Sequence, residues 1–304
     1  MKTGLFIKYL ALLSAITLLP LWLLGCKLID IGQTSVKTAL MELQMANAAA
    51  AAEILNNYAA GLVENTGRLR DKLPAGDWQA KTQVFTSFIE TNPGVKAVSV
   101  VSAEGRELVR VIPAGGGGKL GSYAGDKDFA GAKVPGGARR LSFSAGTESL
   151  VYYCPYGDRL FLRAEAGLER PLSALDGLKA GEGGMLVLVD SQGGPFVPVL
   201  RAAGRGAAAA GMRDWPVFKA AVRNQRGTGA MEFADSGRAM LGAYSPFNGF
   251  DGAVIVTQPL EAAYRYVLFM KKKAVFTIIG VMILVFLSLA LVSWRLAGRL
   301  SGEL

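Results

Sequence analysis

Val95 to Ile112 reads "VKAVSVVSAEGRELVRVI". Two runs rich in valine flank Ala103-Glu104-Gly105, so this stretch predicts two β-strands joined by a tight turn. The same form returns in "GGMLVLVDSQGGPFVPVL", Gly183 to Leu200, with two strands around Ser191-Gln192-Gly193-Gly194. The segments after the two pairs are also alike. After the first come a glycine-rich loop, "PAGGGGKLGSYAGD" (Pro113 to Asp126), and a short helix near Asp128 to Lys133. Three strands are then predicted at Ala138 to Ser144, Ser149 to Cys154 and Leu160 to Ala166, and a connecting helix at Leu168 to Leu178. After the second pair comes a helix at Trp215 to Val222, where Asp214 can cap the first turn and Pro216 is tolerated. Three more strands are predicted at Gly229 to Phe233, Arg238 to Tyr244 and Gly252 to Thr257, and Pro259 opens a last helix. Two units with the order strand, strand, helix, three strands predict an α+β protein with two antiparallel-sheet modules, each covered by helices.

The regions outside these units are apolar or helical. Tyr9 to Cys26 holds 18 consecutive uncharged residues and Ala274 to Trp294 holds 21. A helix needs about 20 such residues to cross a hydrocarbon core. Both segments are therefore candidate transmembrane helices in a chain that is 51% hydrophobic. For the first there is an alternative, because "LLGC" (Leu23 to Cys26) resembles a lipobox, with Leu24 where that pattern has a small residue. A retained span is favoured by the helical pattern that continues beyond Cys26. No proline occurs between Pro20 and Pro74, while Val36, Leu40, Leu43, Ile54, Tyr58 and Leu62 recur mostly at three- and four-residue steps. Roughly 50 residues at about 1.5 Å each would form a rod of roughly 75 Å, the spine of the outer domain, unless it breaks near Gly32. After Asp77 the pattern shifts to short strands. The expected divisions are thus 1–29 (first span), 30–76 (stalk helix), 77–180 (membrane-distal module), 181–262 (membrane-proximal module), 263–294 (helix into the second span) and 295–304 (a linker start).

Charge and composition exclude several functions. The formal net charge is +9, but residues 31–270 contribute only +3, from 25 Lys and Arg against 22 Asp and Glu. The rest flanks the apolar segments, where basic side chains meet lipid headgroups. No basic stripe interleaved with aromatics is present, so no nucleic-acid partner is expected. The chain has no histidine and two cysteines, Cys26 and Cys154, too far apart in context for an internal disulfide. Zinc sites and Ser-His-Asp chemistry lack their residues, and no metal, cofactor or catalytic group is expected. "AGGGGKLG" (Ala114 to Gly121) lacks the Ser or Thr that a phosphate loop places after its lysine, and the pair Asp126 and Asp128 has no nucleophile beside it. An enzyme is therefore not expected. Orientation rests on the first helix, since the flanking charges nearly cancel; residues 30–270 are expected outside and both termini inside.

At "VVSAEGREL", "GDKDFAGA", "VLVDSQGGPF" and "AMLGAYSPFNGFDGAVIVTQPLEAAY" the chain resembles the double-Cache sensor module, the tandem PAS-like extracytoplasmic region of bacterial chemoreceptors and sensor histidine kinases. The resemblance covers about Ile31 to Tyr266 and implies a bacterial inner-membrane sensor with a small-molecule ligand in the distal module. "RLAGRLSGEL" (Arg295 to Leu304) is similar to the start of a HAMP linker, which would leave either a truncated receptor or a sensor that signals through a separate cytoplasmic transmitter protein. By position in the family, the ligand-binding candidates are Arg110, Tyr123, Asp126, Asp128, Tyr152, Tyr153 and Arg163. Aspartate suits an ammonium group, arginine a carboxylate, and tyrosine gives a flat wall with an orienting hydroxyl. "GDKDFAGA" departs from the arginine and Trp-Tyr motif of amino-acid-binding members, having Lys127, Asp128 and Phe129 there.

Each candidate also has a structural alternative. The tyrosines can pack on the sheet, Asp126 and Asp128 can cap the short helix, and Arg110 and Arg163 can be solvated strand ends. Trp215 and Tyr244 are expected in the core. A homodimer is expected through the small-residue face Asn47 to Tyr58. Ligand binding would then shift the distal sheet on the long helix and displace the second span. The alternative function is a membrane-tethered ligand-binding or scaffold protein without its own signalling output.

Overall fold

The computed structural model describes all residues except 1, 114–119, 134–140, 145–147, 177, 179–180, 191–198, 202–203, 207–211, 224–226, 249–251 and 301–304. It divides into two compact units, residues 1–40 with 263–304, and residues 41–262. The first unit contains parts of two long helices, α1 (Lys2–Lys72) and α6 (Leu260–Leu300). Both contain a stretch long and apolar enough to cross a membrane, with mean hydropathy 2.0 and 2.9. Within this unit they approach closely at Gly25, where a Cβ would lie 2.9 Å from Ile278 Cδ1. α1 is unbroken over its 71 residues, so Gly32 marks no interruption and Pro20 lies inside the helix.

In the second unit, α1 leads to α2 (Trp78–Thr91), a helix where short strands were expected. Asp77 begins it by accepting from the Gln79 amide at 2.8 Å, and Lys81, Phe85, Phe88 and Ile89 form its buried stripe at helical spacing. The first sheet then uses β1 (Val95–Ser102), β2 (Glu107–Val111), β3 (Leu141–Ser144), β4 (Ser149–Tyr156) and β5 (Leu160–Gly167), in the order β2-β1-β5-β4-β3. Between β2 and β3 lies α3 (Lys127–Ala132), and α4 (Glu169–Leu175) comes after β5. The second sheet takes β6 (Met185–Asp190), β7 (Val199–Arg201), β8 (Gly204–Gly206), β9 (Gly229–Asp235), β10 (Arg238–Pro246) and β11 (Gly252–Pro259). Its order is β8-β7-β6-β11-β10-β9. Apart from β8, which was not expected, this repeats the first sheet strand for strand. All pairings among the described residues are antiparallel.

The expected helix at 215–222 is α5 (Pro216–Arg223), entered through a 3₁₀ turn at Met212–Asp214. Pro259 ends β11 rather than opening a helix, and α6 begins at Leu260. The turn expected at Ser191 to Gly194 lies outside the described residues.

Strand parity separates three cores. Val98, Val100, Leu150, Tyr152, Cys154, Leu162 and Ala164 face one way and join the α1 residues Ala48, Ala51, Ala52, Leu55, Ala59 and Leu62. Leu186, Leu188, Val254 and Val256 of the second sheet join the same cluster, so α1 is a common spine for both sheets. The opposite face of the second sheet packs Val187, Val189 and Ile255 under Trp215 and Phe218 of the α5 region. The opposite face of the first sheet carries Val101, Val151 and Tyr153 under Phe129 of α3. Each sheet is therefore covered on both faces, which is why its central strands read as nearly continuous apolar runs. Trp215 and Tyr244 are buried as expected.

Candidate functional site

The face of the first sheet that looks toward α3 is where charge enters this apolar run. Arg110 of β2 is opposite Ser99 of β1, Ser99 is opposite Arg163 of β5, and Arg163 is opposite Tyr153 of β4. The four form one transverse row. Because side chains alternate along a strand, Glu165 lies on the same face two residues from Arg163. Glu107 of β2 is paired with Val101 on that face.

Arg163, Glu165 and Glu107 are buried, at 6%, 6% and 4% exposure. Burial of such groups requires partners. Arg163 Nη1 donates to Glu165 Oε2 at 2.9 Å, and Ser149 Oγ donates to Glu165 Oε1 at 3.0 Å. Arg110 reaches Glu107 at 4.0 Å and Glu165 at 3.9 Å, so it serves both carboxylates from the rim. Burial raises the pKa of Glu165, but the Arg163 charge and the hydrogen bonds from Arg163 and Ser149 outweigh it and leave the carboxyl below its usual range.

The loop and α3 close the row from above. Tyr123 OH donates to Glu107 Oε1 at 3.3 Å, and the Gly121 amide donates to Glu107 Oε2 at 2.7 Å. Arg163 stacks its guanidinium 4.7 Å from the Tyr123 ring centre. Tyr153 OH donates to Asp126 Oδ2 at 3.1 Å, while Asp126 Oδ1 accepts from the Asp128 amide at 2.8 Å. Asp126 is thus both the cap of α3 and part of the cluster. Burial is the main reason both tyrosine hydroxyls titrate above their ordinary range. Phe129 packs against Tyr153 and Phe161, with centroids 5.5 and 5.3 Å apart. The loop is held down at Gly105, whose φ of +84° and contact with Ala124 leave no room for a Cβ, and whose carbonyl accepts from the Tyr123 amide at 2.7 Å.

Of the seven predicted residues, the structure gathers Arg110, Tyr123, Asp126, Tyr153 and Arg163. Asp128 is in the first turn of α3, where its amide completes the cap. Tyr152 faces the other way, into the core against the spine, because adjacent strand residues point to opposite sides. Glu107, Glu165, Ser99 and Ser149 were missed. The signal available was "RAEA" (Arg163 to Ala166): charges at alternate positions inside an otherwise apolar strand. Three polar atoms of the row, Ser99 Oγ, Arg110 Nε and Arg163 Nε, are buried and make no hydrogen bond. All three groups can donate, so the face can hold acceptors such as a carboxylate. Among the described residues no group of three His, Cys, Asp or Glu side chains could hold a metal ion.

No protein-family model and no curated protein matches the chain. Solved structures do. The chain is similar to the extracellular domain of the histidine-kinase candidate rpHK1S-Z16, with TM-score 0.56, 13% identity, and coverage of 76% of this chain and 97% of that one. The corresponding domain of the candidate soHK1S-Z6 gives TM-score 0.55 and 17% identity, covering 77% and 99%. The ligand-binding domain of the Campylobacter jejuni chemoreceptor Tlp3, in complex with L-valine, gives TM-score 0.54 and 10% identity, covering 76% and 96%. At these identities the likeness shows the fold: that of extracellular sensory domains, the double-Cache arrangement which the sequence resembles.

Proposed function

We propose that a chain with this sensory-domain fold is the extracytoplasmic input region of a bacterial signalling receptor, anchored in the plasma membrane by α1 and α6. In this reading residues 77–180 are the membrane-distal module, 181–262 the membrane-proximal module, 1–29 and 263–294 carry the spans, and 295–304 begins a HAMP-like linker. The ligand is a small polar metabolite held on the outer face of the distal sheet. Its acceptor group meets Arg110 and Arg163, and a cationic or donor group meets Asp126 or Glu107, beside the edge-to-face rings of Tyr123 and Tyr153. The observation that carries this reading is the row Arg110, Ser99, Arg163 and Tyr153, buried except at the Arg110 rim, with three orphaned polar atoms in a strand region otherwise built for packing. Unpaired buried donors cost about 1 to 3 kcal/mol each, and a ligand that satisfies them recovers that cost.

Binding would bias the packing of the distal sheet on α1, with a coupling of about 1 to 3 kcal/mol. A separate cytoplasmic transmitter protein, or further chain, would carry the signal onward. The receptor is a homodimer in this reading, but the face Asn47 to Tyr58 does not serve as a whole: Ala48, Ala51, Ala52 and Leu55 are committed to the protein's own core. The opposite face of α1, with Leu43, Ala46 and Ala60 exposed, takes its place.

The test is a thermal-shift screen of the full chain in detergent against small metabolites, amino acids included, since a binder raises the melting temperature as its concentration passes Kd. A hit that vanishes in Arg110→Ala supports the site. No hit across the screen, or no hit that is lost in Arg110→Ala or Tyr123→Ala, overturns it.

A further inference from the structure

A cleft of about 270 Å³ lies where β1 begins and β5 ends, at one end of the inner strands of the first sheet and apart from the charged row. Its wall is α1, through Asn57, Gly61 and Asn65; its floor is the α2–β1 connection, Thr91 to Val95; and Arg170 of α4 closes one side. Polar groups inside it are positioned rather than loose. Asn65 Nδ2 donates to Asn92 Oδ1 at 3.1 Å, and Asn92 Nδ2 is anchored on the Phe88 carbonyl at 2.9 Å. Tyr58 OH donates to the Gly167 carbonyl at 2.6 Å, an approach that Gly94 permits because a Cβ there would lie 2.8 Å from the hydroxyl. Among the described residues Arg170 is the one formally charged side chain in the lining, and Glu169 beside it is taken by Lys96 at 2.6 Å.

Gly32, Gly61 and Gly67 of α1 all face open space where a Cβ would stand, and of the three Gly61 lines the cleft. Gly61 sits inside α1, where glycine costs a helix roughly 0.5 to 1 kcal/mol relative to alanine. A Cβ at this position would meet nothing within 4 Å, so packing does not require the glycine. What the missing side chain leaves open is the wall of the cleft.

We infer that this cleft is a second ligand site, selective for a small organic anion that joins one carboxylate to hydroxyl groups. The carboxylate pairs with the Arg170 guanidinium, and the hydroxyls exchange hydrogen bonds with the amides of Asn57 and Asn65, each of which both donates and accepts. A volume of this size admits only a small molecule. Because the lining belongs to α1, α2–β1 and α4 together, the bound anion would clamp the ends of β1 and β5 to the spine, and would modulate a ligand on the sheet face without touching it.

The experiment is calorimetric titration of the full chain in detergent with D-gluconate and L-lactate, using glycerol as the neutral control and ethylenediamine as the cationic one. At least one anion is expected to bind with Kd of about 1 mM or tighter, at least tenfold better than either control. Arg170→Ala should weaken it about tenfold or more. Gly61→Leu, which fills the cleft without losing helix propensity, should abolish it while leaving the melting temperature of the free protein no lower. Arg110→Ala should leave it unchanged, and this separates the cleft from the sheet-face site. The inference is overturned if neither anion binds at about 10 mM, if glycerol binds equally well, if binding survives Gly61→Leu, or if it depends on Arg110 rather than Arg170.

Discussion

Arg163 and Glu165 are two residues apart, lie on one face of β5, and are both almost wholly removed from solvent. Such a pair adds little stability compared with apolar residues of the same size, yet breaking it strands a charge. Arg163→Met alone is expected to cost about 3 to 5 kcal/mol, read from the denaturant midpoint, and Arg163→Met with Glu165→Leu should recover most of that loss. A double variant as unstable as the single would contradict the arrangement. The acid dependence has a defined sign. The carboxyl of Glu165 is held below its usual range, so its contribution is complete above the unfolded value near about 4.3 and is lost as the pH falls through the lower folded value. Melting temperatures measured from about pH 6 to pH 3 should fall less steeply in Glu165→Gln than in the unaltered protein. At the turn, Gly105→Ala places a Cβ against the backbone of Ala124 at a positive φ, and should destabilise by about 1 to 3 kcal/mol while loosening Tyr123 over Arg163.

At the scale of elements, α1 decides how the second unit is assembled. Its alanines are an adaptation to its own two sheets: small side chains let the spine lie close to Val98, Leu162, Leu188 and Val254. Cysteines placed singly at Ala46 or Ala60 are therefore expected to crosslink in membranes, whereas Ala48 and Ala52, buried at 0% and 3% exposure, should remain unreactive. Crosslinks at the buried pair and none at the exposed positions would reverse the assignment. α2 rests on a single stripe, and Phe85→Ala, at a fully buried position, should cost about 3 to 5 kcal/mol by thermal or chemical denaturation. Helix α2 escaped the sequence reading because its stripe includes a lysine. Lys81 is buried with its ammonium 4.5 Å from the Trp78 ring and 5.5 Å from the Tyr156 ring, and no periodicity argument counts a lysine as apolar.

For the whole molecule, topology is the prediction that matters most. A cysteine introduced at Ser236, in the turn between β9 and β10, should react with a membrane-impermeant maleimide in intact cells, while native Cys154, 3% exposed, stays protected until the protein unfolds. Labelling at Ser236 only after lysis would place the sheets on the cytoplasmic side and remove the receptor reading.

Much of this architecture was legible from the chain alone. Repeated strand, strand, helix, three-strand order is local information, written in runs of β-branched residues, turn glycines and helical periodicity, and it determined both sheets and the long helices. Short-range rules also offered Asp126 and Asp128 as caps, of which the structure uses Asp126, and anticipated the burial of Trp215. Other features depended on contacts between residues far apart in sequence. That Tyr152 serves the core while Tyr153 serves the charged row was decided by which face of the sheet the spine covers. Glu107 and Glu165 were brought to Arg110 and Arg163 by a register across three strands and 59 positions of chain, from 107 to 165. The cleft at Arg170 exists only because α1, α2 and α4 meet there. Pattern specifies the elements, since propensity acts over a few residues; only packing decides which faces meet, because burial is a property of the assembled surfaces.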